Sequence, residues 1–454
     1  MDTKIFKNKK VLIAGLGILG GGIAAARWFV KHGAKVTVTD LKTKKELSYS
    51  IKLLGAAAKK IRFVLGKHNA EDFKRNEFII VNPGVPRTSK FLRIAKKAGA
   101  RLENEASIFF RFCRNPVIAV TGTRGKTTTV NWIYHFLKKK YPQAVLTGNS
   151  STNPMLAVLD KLDGRNPVVV ELSSWHLELL PKSGMAPHIA VITNLYPDHL
   201  NRYSSMKSYA RAKANIFSDQ TEEDFLLLNK DNGWTKFFFS LRPKSRIVYF
   251  PVPLGLSLGN FKREKGIHNF YNLNVAIIIA RHFGLSWSDI RKALKTLPQV
   301  RFRQEVILKR KGLIVVNDST ATTPEAVEAA LDRFKLAGEL VLVTGGTDKK
   351  LDFGRWAKRV KKCVKPENLF LLEGTATKKM VRALNKIGYF RKIKPQIFEE
   401  FNVLLKTVEK KLKPKTHNLS TVILFSPGAT SFEKFQNEFD RGEKFNLYAK
   451  KFFC

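Results

Sequence analysis

The stretch 122-GTRGKTT-128 follows an apolar run, Val117 to Val120, and leads into a helix-like pattern. A glycine-rich turn between strand and helix aims backbone N–H groups at anionic oxygens, and a lysine inside it adds charge beside the outer phosphates of a nucleotide. Gly122, Thr123, Arg124, Gly125, Lys126, Thr127 and Thr128 are therefore a candidate nucleotide-phosphate cradle, in which the Thr127 hydroxyl can ligate Mg²⁺, with a merely structural turn as the alternative. The loop is short. The common form places about four residues between its first glycine and the Gly-Lys pair; here only Thr123 and Arg124 intervene.

A second glycine motif, Gly15-x-Gly17-x-x-Gly20, lies between an apolar run and a helical pattern, and Asp40 closes the next apolar run. That arrangement fits a pyrophosphate at a helix N-terminus with an acid near the ribose. NAD and a UDP-sugar fit it equally, and a purely structural turn stays open. Three more side chains sit where a metal could be held. Glu171 ends 168-VVVE-171, His199 follows Asp198, and Lys213 lies in 209-YARAKANIF-217, which reads as helix. One carboxylate and one imidazole at strand ends make half of a hard-cation site. A buried ion pair, a core histidine and a solvated lysine are the plainer readings of the same residues. Lysine offers a metal nothing unless it is carbamylated.

These groups need a scaffold, and the chain repeats one arrangement. Short β-rich runs end abruptly in polar or glycine-rich clusters, and amphipathic stretches follow. They begin at Val11, Lys35, Phe78, Val117, Val168, Ile189, Leu313, Leu340, Leu369 and Thr421. Continuous Val/Ile/Leu runs alternating with helical patterns predict an α/β fold of buried, mostly parallel strands, with ligands outside the strands' carboxyl ends. The length of 454 residues predicts about three domains. Breaks near Asn104 and near 297-LPQV-300 divide the chain into 1–104, 105–299 and 300–454.

The formal charge of +44 raises nucleic-acid binding. The basic residues are scattered, with no basic arm, helix-turn-helix or RNA-binding motif, so a Lys-rich proteome combined with polyanionic small substrates is the plainer reading and no specific nucleic acid is expected. Cys113, Cys363 and Cys454 are far apart and in no metal spacing, which points to a reducing compartment. Lysines before 11-VLIAGLGILGGGIAAA-26 imitate a signal peptide, but five glycines weaken the helix it would need. With no other apolar run near the roughly 20 residues of a membrane span, a cytoplasmic protein is expected.

In chain order these pieces resemble the Mur ligase family, ATP-dependent amide-bond-forming enzymes of cell-wall precursor synthesis. The shortened Gly-Thr-x-Gly-Lys-Thr-Thr loop is that family's ATP motif. The N-terminal glycines, 82-NPGVP-86, 171-ELSSWHL-177, 194-NLYPDHLNRY-203, 267-IHNFYNLNVA-276, 303-RQE-305, 317-NDSTAT-322, 345-GGTDKKLDF-353 and 426-SPGATSFEKFQNEFDRG-442 carry the resemblance across nearly the whole chain. It implies an N-terminal Rossmann-like UDP-binding domain, a central P-loop-like ATPase domain and a C-terminal Rossmann-like acceptor domain, in a protein expected to be monomeric.

The resemblance also implies roles. Gly15, Gly17, Gly20, Asp40, Leu41, Gly84 and Asn149 match contacts to the UDP-linked substrate. Lys126 and Thr127 match the ATP-phosphate and Mg²⁺ positions. Glu171 and His199 match metal positions, and Lys213 matches the family's carbamylated lysine at a second Mg²⁺. Asn269, Asn272, Arg303 and Asp318 match positions around the nucleotide. Thr322, Lys349 and Ser431 match the acceptor pocket. The implied reaction joins D-glutamate to UDP-N-acetylmuramoyl-L-alanine through an acyl phosphate, with a domain closing over the site to exclude water.

Four residues depart from the family pattern: Arg124 for Asn, Phe302 for His before Arg303, Thr320 for Lys in 317-NDSTAT-322, and Glu438 for an aromatic residue. The last two bear on which amino acid is accepted. Another acceptor within the same superfamily and a folylpolyglutamate synthase-like ligase are the alternatives, the latter disfavoured by the N-terminal glycine motif. An NAD-dependent dehydrogenase is the alternative from a different class.

Overall fold

The computed structural model describes residues 3–18, 20–149, 153–180, 186–200, 202–254, 261–262, 265–310, 312–391, 393–412 and 420–453, so Asn201 and Cys454 lie outside it. It divides into two compact units, residues 1–256 with 271–297, and residues 257–270 with 298–454.

The first unit carries two sheets. One has the strands β1 (Lys10–Ala14), β2 (Lys35–Asp40), β3 (Ile61–Leu65), β4 (Phe78–Val81) and β5 (Arg101–Glu103) in the order β3-β2-β1-β4-β5. All its pairs are parallel. The order reverses between β1 and β4, and the crevice outside such a switch point is where an open α/β sheet takes its ligand. The other sheet has β6 (Val117–Thr121), β7 (Val145–Gly148), β8 (Val168–Glu171), β9 (Ile189–Ile192), β10 (Phe225–Asn229) and β11 (Arg246–Phe250) in the order β11-β10-β9-β6-β8-β7. Its pairs are also parallel. Register sets the site here: Val120 lies opposite Glu171 and Thr121 opposite Ile192, so the loops after β6, β8 and β9 leave the sheet side by side.

A helix, Gly21–Lys31, joins these two sheets into one unit. Near its C-terminus, Trp28 Nε1 donates to Asp160 at 2.9 Å and Lys31 pairs with the same carboxylate at 2.5 Å. At its N-terminus the buried Glu105 carboxylate lies so close that a Cβ on Gly21 would stand 2.9 Å from Oε2. Glu105 Oε1 accepts from Leu156 N at 3.0 Å, and burial pushes this carboxyl up to about 7.

The second unit carries β12 (Glu305–Arg310), β13 (Leu313–Asn317), β14 (Glu339–Gly345), β15 (Leu369–Leu372), β16 (Gln396–Phe398) and β17 (Thr421–Phe425) in the order β12-β13-β17-β14-β15-β16. Among the paired strands of the described residues, β12 with β13 is antiparallel and the others are parallel. The α/β class with mostly parallel sheets is as expected, and each of the ten apolar runs is a strand. Among the described residues, no helix is long and apolar enough to cross a membrane.

Candidate functional site

The loop after β6 is held from below by the loop after β9. Thr123 N donates to Asn194 O at 3.0 Å, Arg124 N to Asn194 Oδ1 at 2.9 Å, and Thr193 Oγ1 to Arg124 O at 2.7 Å. Two glycines are needed here. Gly125 has φ +81° and caps the helix Lys126–Leu137; a Cβ on it would stand 2.5 Å from Asn272 Oδ1. A Cβ on Gly122 would collide with Thr193 Oγ1. The loop therefore presents bare backbone at a helix N-terminus, an arrangement suited to phosphate. Asn272 Oδ1 also accepts from Thr129 Oγ1 at 3.2 Å, which places Asn272 against the loop.

Lys126 Nζ donates to Gly122 O at 3.0 Å and to Thr123 O at 3.1 Å. Lys213, on the helix Met206–Ala214, is buried and donates to Gly122 O at 2.9 Å. Burial holds its amine well below the ordinary lysine range, and the charge of Lys126 pushes it the same way. Asp198 and Glu171 oppose that shift. A neutral amine is the nucleophilic form, the one able to add carbon dioxide and become a carbamate. Glu171, at the end of β8, is buried; Asn149 N donates to its backbone O at 2.8 Å, and Asn149 Nδ2 to its Oε1 at 3.3 Å. His199 takes φ +55°, with its ring 5.2 Å from Trp175 and 6.0 Å from Tyr209, centroid to centroid. Lys126, Lys213, Glu171 and Asn149 are thus drawn around the ends of β6 and β8, and His199 joins them through Tyr209, which lies under the Lys213 amine at 4.7 Å.

At the end of β1, Gly15, Gly17 and Gly20 have φ of +92°, +63° and +95°. Asp40 Oδ2 accepts from Gly17 N at 3.1 Å, so this acid braces the glycine turn itself. Asn82, after β4, packs on Gly15 and Gly17, and its Oδ1 accepts from Gly84 N at 3.1 Å. Leu41 is exposed beside them.

In the second unit, Asp318 follows β13 and is buried; Ser426 Oγ donates to it at 2.8 Å and Gln304 N at 3.0 Å. Burial raises its carboxyl to about 7, against the lowering effect of Ser426, Gln304 and the charge of Arg303. Asn269 Nδ2 donates to Lys265 O at 2.9 Å. Lys349 Nζ reaches Thr322 Oγ1 at 3.5 Å. Backbone bonds between Thr347 and Thr430, 2.9 and 3.1 Å, carry the Lys349 loop alongside Ser431, whose buried Oγ has no hydrogen-bond partner among the described residues. Thr320 is turned inward, its hydroxyl donating to Phe302 O at 2.7 Å.

Sequence reasoning passes over Asn194, Thr193, Asp198 and Arg441. Asn194 and Asp198 lie inside 194-NLYPDHLNRY-203, a stretch that carries the resemblance but in which only His199 is given a role; Thr193 acts through hydroxyl geometry that no spacing reveals.

Residues 9–103 match the Mur ligase MurD-like N-terminal domain, and residues 120–252 match the Mur ligase middle domain. The chain is 35% identical to the UDP-N-acetylmuramoylalanine–D-glutamate ligase of Borreliella afzelii over 97% of both chains. It is 36% identical to the same-named ligase of Roseiflexus sp., covering 98% of this chain and 99% of that one. Among solved structures, the UDP-N-acetylmuramate–alanine ligase of Thermotoga maritima shares the fold, with TM-score 0.58, 19% identity and coverage of 97% and 99%. A MurF ligase from Thermotoga maritima, solved in complex with ADP, has TM-score 0.55 at 14% identity, covering 99% and 97%.

Proposed function

The chain belongs to the Mur ligase family, and on that premise we propose that it joins D-glutamate to UDP-N-acetylmuramoyl-L-alanine in the cytoplasm, as a monomer, with cleavage of ATP to ADP and phosphate. The observation that carries the reading is the convergence of Lys126 and Lys213 on Gly122 O at the mouth of a glycine cradle. The match of residues 9–103 supports it against a folylpolyglutamate synthase-like ligase, which lacks that domain.

In this reading residues 1–104 hold the UDP moiety through the turn at Gly15, Gly17 and Gly20, with Asp40, Leu41, Gly84 and Asn149. Residues 105–299 hold ATP on the loop from Gly122 to Thr128, with Asn272. Residues 300–454 carry Arg303 and Asp318 for the nucleotide and Thr322, Lys349 and Ser431 for the acceptor; Asn269 serves the nucleotide too.

A carboxylate is a poor electrophile, so the muramoyl-alanine carboxylate first takes the γ-phosphoryl group of ATP, and the amine of D-glutamate then displaces phosphate from the acyl phosphate. Lys126 offsets charge on the transferring phosphoryl group, and the loop N–H groups orient it. Among the described residues no three His, Cys, Asp or Glu side chains converge as a metal site. Mg²⁺ at Glu171 and His199 would therefore need further oxygens, which Thr127 and a carbamate on Lys213 would supply; the buried amine of Lys213, held well below the ordinary lysine range, fits that need. When bound, Mg²⁺ supplies counter-charge to the phosphates.

The test is phosphate release with UDP-N-acetylmuramoyl-L-alanine and ATP against a panel of D- and L-amino acids. D-Glutamate should give the largest kcat/KM. No release with D-glutamate, but release with another amino acid, would leave a ligase with a different acceptor.

A further inference from the structure

Arg441 is fully buried on the helix Glu438–Phe453. Its Nη2 donates to Ser319 O at 2.6 Å, its Nε to Ser319 Oγ at 3.2 Å and its Nη1 to Ala429 O at 3.1 Å. A Cβ on Gly346 would stand 3.5 Å from Nη1. The guanidinium therefore touches three loops, and each carries an acceptor-site residue three or fewer positions along: Thr322 after Ser319, Ser431 after Ala429, and Lys349 after Gly346. Of about five N–H donors in a guanidinium, these bonds use three.

The charge balance around it is unusual. Every acceptor it bonds is a carbonyl or a hydroxyl, and the carboxylates that act on it from farther off are Glu438 and Asp318. A buried cation without a bonded carboxylate is costly unless something anionic completes the site. Arg441 shares the lining of a small cavity with Gly346, Thr347, Ser431, Glu433 and Lys434. Glu433 is engaged elsewhere, accepting from Thr375 N at 3.0 Å and Thr375 Oγ1 at 2.6 Å, and Lys434 Nζ donates to Glu399 O at 2.7 Å. The unpartnered hydroxyl of Ser431 is left in that cavity beside the Arg441 guanidinium, and Glu373 and Glu433 stand on its wall with Lys434. Thr320, where the resemblance expects a lysine, supplies no charge and has its hydroxyl occupied.

We propose that Arg441 is a positioning residue of the acceptor site: it ties the loops bearing Thr322, Lys349 and Ser431, and its charge favours an acceptor with a carboxylate side chain. Glu438, half-buried one turn before it, moderates that charge. The inference rests on the ligase reading above.

The experiment compares kcat/KM for D-glutamate and D-glutamine, which share a shape and differ in charge, in wild type, Arg441→Gln and Glu438→Gln. A merely structural arginine would lower both values together and leave their ratio alone. Arg441→Gln should lower the D-glutamate preference by about tenfold or more, as expected of a lost charge in a shielded site. Glu438→Gln, at the partly exposed start of the helix, should raise it about twofold or more, and serves even if Arg441→Gln fails to fold. An unaltered ratio in Glu438→Gln, with wild type using D-glutamate, overturns this inference alone; a wild type indifferent to D-glutamate overturns both.

Discussion

Lys126 and Lys213 both donate to the carbonyl oxygen of Gly122, at 3.0 and 2.9 Å. Two ammonium groups cannot share one oxygen in a buried setting without severe repulsion. Burial, and then the charge of Lys126 beside it, hold the amine of the fully buried Lys213 well below the ordinary lysine range. One carbonyl thus gathers two lysines of identical chemistry in unlike settings, and burial favours the neutral form of the deeper one.

Lys126→Ala should lower phosphate release by about a hundredfold or more, the scale of removing one preorganised donor from a developing charge. Arg124 does not substitute, because its N–H and C=O are fixed by Asn194 and its guanidinium lies over the Tyr196 ring at 5.4 Å. A continuous ADP-release assay at saturating acceptor reads the loss. Turnover near wild type would remove the glycine loop from the reaction.

Lys213→Ala should be inactive and partly restored by acetate or another small carboxylate, which replaces the carbamate oxygens. Mass spectrometry of the native wild type kept in bicarbonate should show the added carbon dioxide, and Lys213→Ala should not. Full activity without rescue would reduce Lys213 to a buried packing residue.

Strands and glycine turns were legible because their physics is local: β-branched runs bury both faces, and Gly125 at φ +81° is a position where other residues are strained. Among the described residues, seven strands lack a marked run: β5 (Arg101–Glu103) and β16 (Gln396–Phe398) are three residues long and exist because a neighbouring strand completes them, whereas β10 (Phe225–Asn229) is an apolar run buried beyond its first residue. The candidate site was legible in its carriers and hidden in its supports. Lys126, Glu171 and Asn194 all stand in recognisable stretches, but that Asn194 props the phosphate loop from about 70 residues away shows only in the fold. Arg441 stands in 426-SPGATSFEKFQNEFDRG-442, which carries the resemblance, but its burial and its bonds to Ser319 and Ala429 are not readable from spacing.

Glu105 predicts a pH dependence of stability. Its folded pKa is raised to about 7 from 4.5, so its contribution is full below the unfolded value and is lost as pH rises through the folded one. Between about pH 5 and pH 8 this amounts to a fall on the order of 2 kcal/mol. Glu105→Gln keeps an oxygen for Leu156 N and cannot ionise, so the variant should gain on wild type over that interval. Urea unfolding of both proteins at the two pH values measures the difference; parallel pH curves would mean that Glu105 ionises freely in the folded state.

The acceptor assignment turns on Lys349. D-Glutamate brings a side-chain carboxylate into a pocket, and a buried carboxylate without a cation is costly. Thr320 cannot answer it, since its hydroxyl is bonded to Phe302 O. Arg441 is fully buried and acts from behind the loops. Lys349 is the ammonium placed with Thr322, at 3.5 Å, and the Thr347–Thr430 bridge brings its loop beside the open hydroxyl of Ser431. Lys349→Ala should therefore raise the KM for D-glutamate by about tenfold or more, the loss of one charge-assisted bond. The KM for ATP should change by about threefold or less. Steady-state kinetics with each substrate varied in turn reads the split. Equal effects on both would place Lys349 in the folding of its loop, and a preference of the wild type for D-lysine over D-glutamate would assign the pocket's selectivity to the carboxylate of Glu438 instead.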